Sequence, residues 1–432
     1  MKKIELLCMV LVLISAGAGC EDKLNKLHEV AKPTEPTQPT KSLHEAAADG
    51  NINQVKLLIS KGADVNAKDE KENTPLRYAV RAGKMEVVRL LIEAGADVNA
   101  GSWPPLRAAV DEDNIAIAEY LIAHGANVNS KGNYEWTPLQ QAPYSSSMEM
   151  IKMLIAKGAD VNAGPWTALH SAVQKGRRDI AELLIQKGAD VNAKQKGGYA
   201  PLYYAISNKD LGMVNVLITK GADVNAGPHP ALHSAAQRGR SDIAELLIQK
   251  GASVNAKDKR GYPPLYYAIS KKHLDTAKLL IAHGADVNAK DKRGYPPLYY
   301  AMSKKRLDTA KLLIAHGANV NTKDKQGLTT LHSVALVGRK DMAELLLAHG
   351  ADVNAKDNKD RTALHLVLDV DRFIYRLFKD VAELLIAHGT DVNSKDKYGR
   401  TPLHLAAESA QKDIIELLLA KGAKVDEKDD NY

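Results

Sequence analysis

Two short apolar blocks alternate along most of the chain, and the pair returns about every 33 residues. In the stretch 257–289, "KDKRGYPPLYYAISKKHLDTAKLLIAHGADVNA", the first block is PLYYAIS and the second DTAKLLIAH. A Gly-containing turn precedes the first block, whose leading proline suits the first helical position, where an N–H has no partner anyway. The second block starts at Asp275, an N-cap residue type, and stops at Gly284, a residue free to take the left-handed conformation past a helix end. The pattern predicts two short helices per unit. Neither can bury its apolar side alone at this length, so adjacent units must supply the other wall.

The register is set by a second motif, GA(D/N/S/T/K)V(N/D), with Thr once in place of Ala, whose glycine falls at 62, 95, 125, 158, 188, 221, 251, 284, 317, 350, 389 and 422. The spacings are 33, 30, 33, 30, 33, 30, 33, 33, 33, 39 and 33, a stacked array rather than a set of globular domains. "NTPLRYAV" (73–80), "WTALHSAV" (166–173), "RTALHLVL" (361–368) and "RTPLHLAA" (400–407) resemble the T-P-L-H-x-A signature of ankyrin repeats. The resemblance covers residues 41–426 in twelve units, the first without its turn, and 427–432 are left as a polar tail. It implies an all-α repeat solenoid of helix-turn-helix units with short β-hairpin-like fingers. It also implies a concave inner face that binds other proteins, and a signature histidine that supports the turn through hydrogen bonds.

Two departures from regularity stand out. Before the helices beginning near 104, 167 and 230, three residues are missing, as "NAGSWPPL", "NAGPWTAL" and "NAGPHPAL" show, so these fingers should be stubs. In the eleventh unit, "LDVDRFIYRLFKD" (368–380) carries six extra residues and both phenylalanines of the protein, Phe373 and Phe378. With Ile374 and Leu377 they fit one stripe of an extended helix, either folded back on the neighbouring repeats or presented as an apolar knob to a partner.

The N-terminus does not belong to the array. Lys2 and Lys3 precede the apolar run "LLCMVLVLISAGAG" (6–19), which fits a secretory signal segment and is too short to span a bilayer. It ends in "GAGC", which resembles the bacterial lipobox and implies lipidation of Cys20; Gly17 stands where that family prefers Leu. Residues 1–19 are read as a signal peptide and 20–40, with "KPTEPTQPTKS" (32–42), as the start of an extended tether. The expected location is the bacterial cell envelope, periplasmic or surface side, anchored to the membrane by lipid.

Composition and chemistry narrow the function. The net charge is +7, and the lysines of "AKDK" alternate with acids, a weak basis for nucleic-acid binding in an exported protein. His44, His170, His233, His332, His365 and His404 sit at the signature position, while His124, His283, His316, His349 and His388 precede the glycine that closes the second helix, where imidazole complements the helix dipole. Packed helices ~8–10 Å apart place the latter too far apart for one Zn²⁺, whose ligand bonds are ~2.0–2.1 Å. "HEVAK" and "HEAAA" lack the second His of a metalloprotease, and the chain carries no GxxxxGK[ST] loop. No catalytic, cofactor or metal site is expected, and the chain is not read as an enzyme.

A partner site is sought in a column instead. The residue before the T/P-P/A-L step reads Asn73, Trp103, Trp136, Trp166, Tyr199, His229, Tyr262, Tyr295, Leu328, Arg361, Arg400, with seven consecutive rings and all three tryptophans. In ankyrin proteins this finger position varies with the partner. The rings form either a docking ribbon or a set of mutually packed fingers. Beside them runs a basic ladder that includes Lys257, Lys259, Arg260, Lys290, Lys292 and Arg293, each turn also holding an Asp that anchors it. The ladder is read either as solvated charge or as a match for an acidic partner. Within "GYPPLYYA", Tyr262 and Tyr295 join the column, Tyr266 and Tyr299 replace the signature His, and Tyr267 and Tyr300 are expected to pack between repeats. The expected function is a monomeric, non-catalytic protein-binding scaffold; the alternatives are a spacer or adhesion element touching glycans or a host protein, and, remotely, an unrecognised enzyme.

Overall fold

The computed structural model describes residues 41–132, 135–303, 306–369 and 378–429. These contain 24 helices and no strand, alternating short and long from Leu43–Asp49 to Lys412–Ala420, an all-helical repeat solenoid. The chain divides into two units, Met1–Ala109 with Ala116–Ala126, and Val110–Ile115 with Asn127–Tyr432. The first holds the first two helix pairs and most of the third. The second holds the nine pairs that begin at Pro138.

The predicted unit 257–289 folds as Pro264–Ser270 followed by Leu274–Ala282. Proline opens the first helix, as expected. The second begins two residues earlier than the sequence suggested, with His273 rather than Asp275 at the N-cap and Asp275 inside the first turn; the carboxylate there still faces the positive end of the helix dipole. Gly284 follows the C-cap with φ +83°, the left-handed region that a Cβ would strain.

Each helix buries one stripe: Leu265, Ala268 and Ile269 from the first, Ala277, Leu280 and Ile281 from the second. First helices pack against first helices of the adjoining repeats within a unit, and second against second, which supplies the wall that helices of seven and nine residues need.

The signature histidine turns out to be half of a capping box. Thr167 caps its helix by accepting from the His170 N–H, the Thr167 N–H donates to His170 Nδ1, and Nε2 of the same ring donates to the Tyr199 carbonyl (3.2 Å) of the next finger. His332 and His365 repeat this toward Arg361 and Arg400. In the fourth repeat Gln140 takes the same place: Oε1 accepts from the Thr137 N–H (2.6 Å), and Nε2 donates to the Ala163 carbonyl (2.8 Å) and to the Trp166 carbonyl.

A second stitch uses the Asn of GADVN. In the repeat ending at Asn288, its amide donates to the Gly317 carbonyl (3.0 Å), and its oxygen accepts from the Asn319 N–H (2.8 Å). The stitch recurs at Asn66, Asn129, Asn162, Asn192, Asn225, Asn321 and Asn393. It also survives the six-residue insertion, from Asn354 to Gly389 and Asp391, so the extra residues leave the repeat register intact.

The stripe expected around Phe373, Ile374 and Leu377 lies outside the described residues, as do the signal segment, Cys20 and the tether. Phe378 is described: it is half-buried and forms the N-cap of Lys379–Ala387. Among the described residues no helix is long and apolar enough to cross a membrane.

Candidate functional site

The long fingers are single tight turns; the one at 69–73 and those from 258 onward are each built on an aspartate, and Gln195 takes that place at 195–199. The Asp258 N–H donates to the Tyr262 carbonyl (3.1 Å) and the Gly261 N–H to the Asp258 carbonyl (2.9 Å). One carboxylate oxygen of Asp258 accepts from the N–H groups of Arg260 and Tyr262, and the other accepts from the Tyr267 hydroxyl (2.6 Å). Burial opposes ionisation of Asp258, but the Tyr267 hydroxyl and the two N–H groups outweigh it and hold the carboxyl below its usual range. Burial, and then the bond to Asp258, push the Tyr267 phenol up. Asp291 with Tyr300 (2.5 Å) and Asp69 with Tyr78 (2.7 Å) repeat the lock. In the last two units the column arginines do the same work from another position, Arg361 on Asp357 and Arg400 on Asp396.

The doublet tyrosines therefore have separate tasks. Tyr267 and Tyr300 lock their own fingers, and Tyr300 also meets the preceding repeat edge-on, 4.6 Å from the Tyr266 ring. Tyr266 and Tyr299, at the signature position, stack on Tyr262 and Tyr295 with centroids 3.8 and 4.0 Å apart. Ring stacking thus occupies the place where the repeats of His170, His233, His332 and His365 set an imidazole against the next finger.

All seven column rings are half-buried. In the first unit the Arg107 guanidinium lies 3.9 Å from the centre of the Trp103 ring, with Arg77 at 5.9 Å. In the second unit Trp136 and Trp166 lie parallel, 6.3 Å apart with 5° between planes. Tyr144 supports Trp136, Tyr204 meets Trp166 edge-on, and the Trp166 indole N–H donates to Ser171 (2.9 Å). Further along, His229 stands edge-on to Tyr267, Tyr199 packs on Tyr203, and Tyr262 reaches Tyr300 at 6.2 Å. The expected packing of rings on neighbouring fingers is present, and each ring keeps part of its surface open.

The missing residues do make stubs, and one stub opens a cleft. Between Lys131 and Glu135 on one side and the finger at 195–198 on the other, the short turn 164–166 leaves a space of about 300 Å³ lined by Trp136, Trp166, Pro165, Lys131, Glu135 and Lys196, with Gln140 and Gln195 behind. Gly164 (φ +63°) allows the turn to pass under Gln140, whose amide nitrogen sits 3.0 Å from where a Cβ would be. The equivalent gap at 227–229 is only about 20 Å³.

The basic ladder is ordered in a way the sequence did not reveal. Lys257 Nζ donates to the Lys290 carbonyl (3.0 Å), Lys290 to Lys323 (3.2 Å), Lys323 to Lys356 (2.7 Å), Lys356 to Lys395 (3.3 Å) and Lys395 to Lys428 (3.2 Å). Lys292 points the other way, to the Lys259 carbonyl (2.6 Å). These ammonium groups link fingers while remaining exposed, and Lys259, Arg260 and Arg293 are exposed beside them. The 33-residue recurrence of the lysine was the available signal, but only distance shows that it reaches the next carbonyl.

The second histidine row is exposed, and His124, His316, His349 and His388 each bond Nδ1 to the carbonyl four residues back, at 2.8–2.9 Å. Among the described residues no group of three or more His, Cys, Asp or Glu is placed to hold a metal ion.

No curated protein matches the chain. A family model for ankyrin repeats in sets of three copies matches residues 43–132, 131–195, 165–228, 202–291, 232–324, 298–373 and 357–429. Together these ranges run through the whole helical array, and ankyrin repeats are in general non-catalytic modules of protein–protein interaction. With its capping-box histidines, paired helices and finger turns, the chain belongs to the ankyrin-repeat family.

Proposed function

We propose that the chain is a non-catalytic scaffold that takes a protein partner along its finger column and inner helices, held at the bacterial envelope by a lipid on Cys20. The observation that carries the reading is the column of half-exposed rings, of which Tyr262 and Tyr295 stand on fingers fixed by Asp locks while Trp136 and Trp166 are held by neighbouring rings. Aromatic side chains held in place give contact area with little entropy left to lose on binding. The exposed cations of the finger turns, among them Lys259, Arg260 and Arg293, favour a partner with an acidic surface, whose binding weakens as salt shortens the Debye length below ~8 Å.

The test is capture of envelope proteins by immobilised chain. Replacing Trp103, Trp136 and Trp166 together by Ala should abolish capture while leaving the helical signal nearly unchanged; undiminished capture would remove the column from the site. The anchor is tested separately, since palmitate labelling should be lost in Cys20→Ala, and equal labelling would overturn it.

A further inference from the structure

We infer that the cleft over the short finger 164–166 is a socket for one large apolar side chain of an extended peptide segment flanked by carboxylates. The inference rests on the scaffold reading above and gives the partner a chemistry.

Three observations lead to it. The first is that a short finger does not by itself open such a cleft. The turn 164–166 is three residues shorter in sequence than its two neighbours, and the parallel indoles of Trp136 and Trp166 are held from behind by Tyr144 and Tyr204, so the space of about 300 Å³ is walled by supported rings. At 227–229 the same deletion leaves about 20 Å³, where Pro228 comes within 3.4 Å of the position a Cβ on Gly198 would take.

The second is that the polar groups around the cleft are already used. Gln140 donates to the carbonyls of Ala163 and Trp166 and accepts from Thr137. Gln195 donates to the Tyr204 hydroxyl (3.2 Å) and accepts from the Gly197 N–H. The Trp166 indole N–H is held by Ser171. What remains is ring face and the Pro165 surface, which reward apolar burial; a sugar would find few hydrogen-bonding groups there.

The third is the charge of the rim. Lys131 and Lys196 stand exposed on opposite fingers, and Glu135 lies 3.9 Å from Lys131, which leaves one positive charge over and a preference for carboxylates beside the inserted side chain.

The experiment uses the full chain carrying Trp103→Phe, so that its emission comes from Trp136 and Trp166 alone. Capped peptides Glu-Glu-Ser-Xaa-Ser-Glu-Glu, with Xaa as Leu, Gly or Lys, and an N-acetylglucosamine oligomer are titrated while indole emission is followed. The Leu peptide should act at about tenfold lower concentration than the Gly peptide, the ratio a buried Leu side chain supports.

Replacing Gly164-Pro165 by the five residues found at 257–261 fills the gap, keeps the indole, and should erase the preference for Leu. Lys196→Glu, a surface change that leaves the fold alone, should weaken the Leu peptide severalfold and reduce its salt dependence. Equal binding of the Leu and Gly peptides, a preference for Lys or for the oligosaccharide, or full Leu-peptide binding in the filled-gap or Lys196→Glu chain would overturn the socket. The scaffold reading fails on a different result, protein capture that survives loss of the tryptophans.

Discussion

The buried signature histidines make the stability of the array depend on pH in a window that carboxylates do not share. His233 is fully buried; burial first, and then the neighbouring His229, push its imidazole down to about 4, against the opposing pull of the Tyr262 carbonyl and Asp258. Proline at 230 replaces the threonine that faces Nδ1 in other repeats, and among the described residues His233 Nδ1 has no hydrogen-bond partner, so protonation would place a buried N–H there without an acceptor. His170, His332 and His365 are also lowered, chiefly by burial. Because the folded value lies below the unfolded one near 6.5, the unfolded chain binds more protons between the two. Stability is therefore complete above about pH 6.5 and is lost as the pH falls toward 4.

For His233 the separation of roughly 2.5 units corresponds to about 3 kcal/mol at about 1.4 kcal/mol per unit, most of it lost by about pH 4.5. The perturbation is glutamine at positions 170, 233, 332 and 365, a change the protein already tolerates at Gln140, where the amide makes the inter-finger bond without titrating. Urea unfolding followed by far-ultraviolet circular dichroism at pH 7.5, 6.0, 5.0 and 4.5 should show a falling midpoint for the natural chain and a nearly level one for the His→Gln chain. Equal losses in both chains over this window would show that the imidazoles do not couple protons to folding. The finger carboxylates add their own loss lower down, since Asp69 sits at about 2 and Asp258 and Asp357 are lowered as well.

The stitches and locks give two simpler outcomes. Asn288→Ala removes one donor and one acceptor between adjacent repeats and should cost roughly 1–2 kcal/mol, read as a lower urea midpoint, with Asn288→Asp recovering only the acceptor's share. Tyr300→Phe leaves the ring stack in place but strips the Asp291 carboxylate of its phenol, at roughly 1.5–3 kcal/mol; alkaline titration at 295 nm should then lose one late-ionising tyrosine, consistent with the raised phenol that burial and Asp291 produce.

Much of the fold was legible in the sequence because the features concerned are local. Helix spans follow from apolar spacing within seven or nine residues, Gly284 from its place after a helix end, and the anchoring role of Asp258 from a turn that closes within four residues. The stub at 164–166 followed from counting. The N-cap was misplaced by two positions, at Asp275 instead of His273, because a helix start depends on backbone geometry that His273 satisfies without a side-chain cap.

What only the tertiary structure decided lies between residues about 30 apart. A sequence shows Lys257 and Lys290 as two charges, and Asn288 as a polar end to a motif; stacking brings each to a carbonyl on the next repeat. The column rings could be wall or site on paper; the structure shows them packed on neighbours yet only half-buried, which stacking distances and not the sequence decide. The missing residues predicted short turns at 164–166 and 227–229 alike, yet one gap is open and the other nearly filled. Repetition along the chain sets which groups recur, whereas the distance between stacked neighbours sets which of them meet.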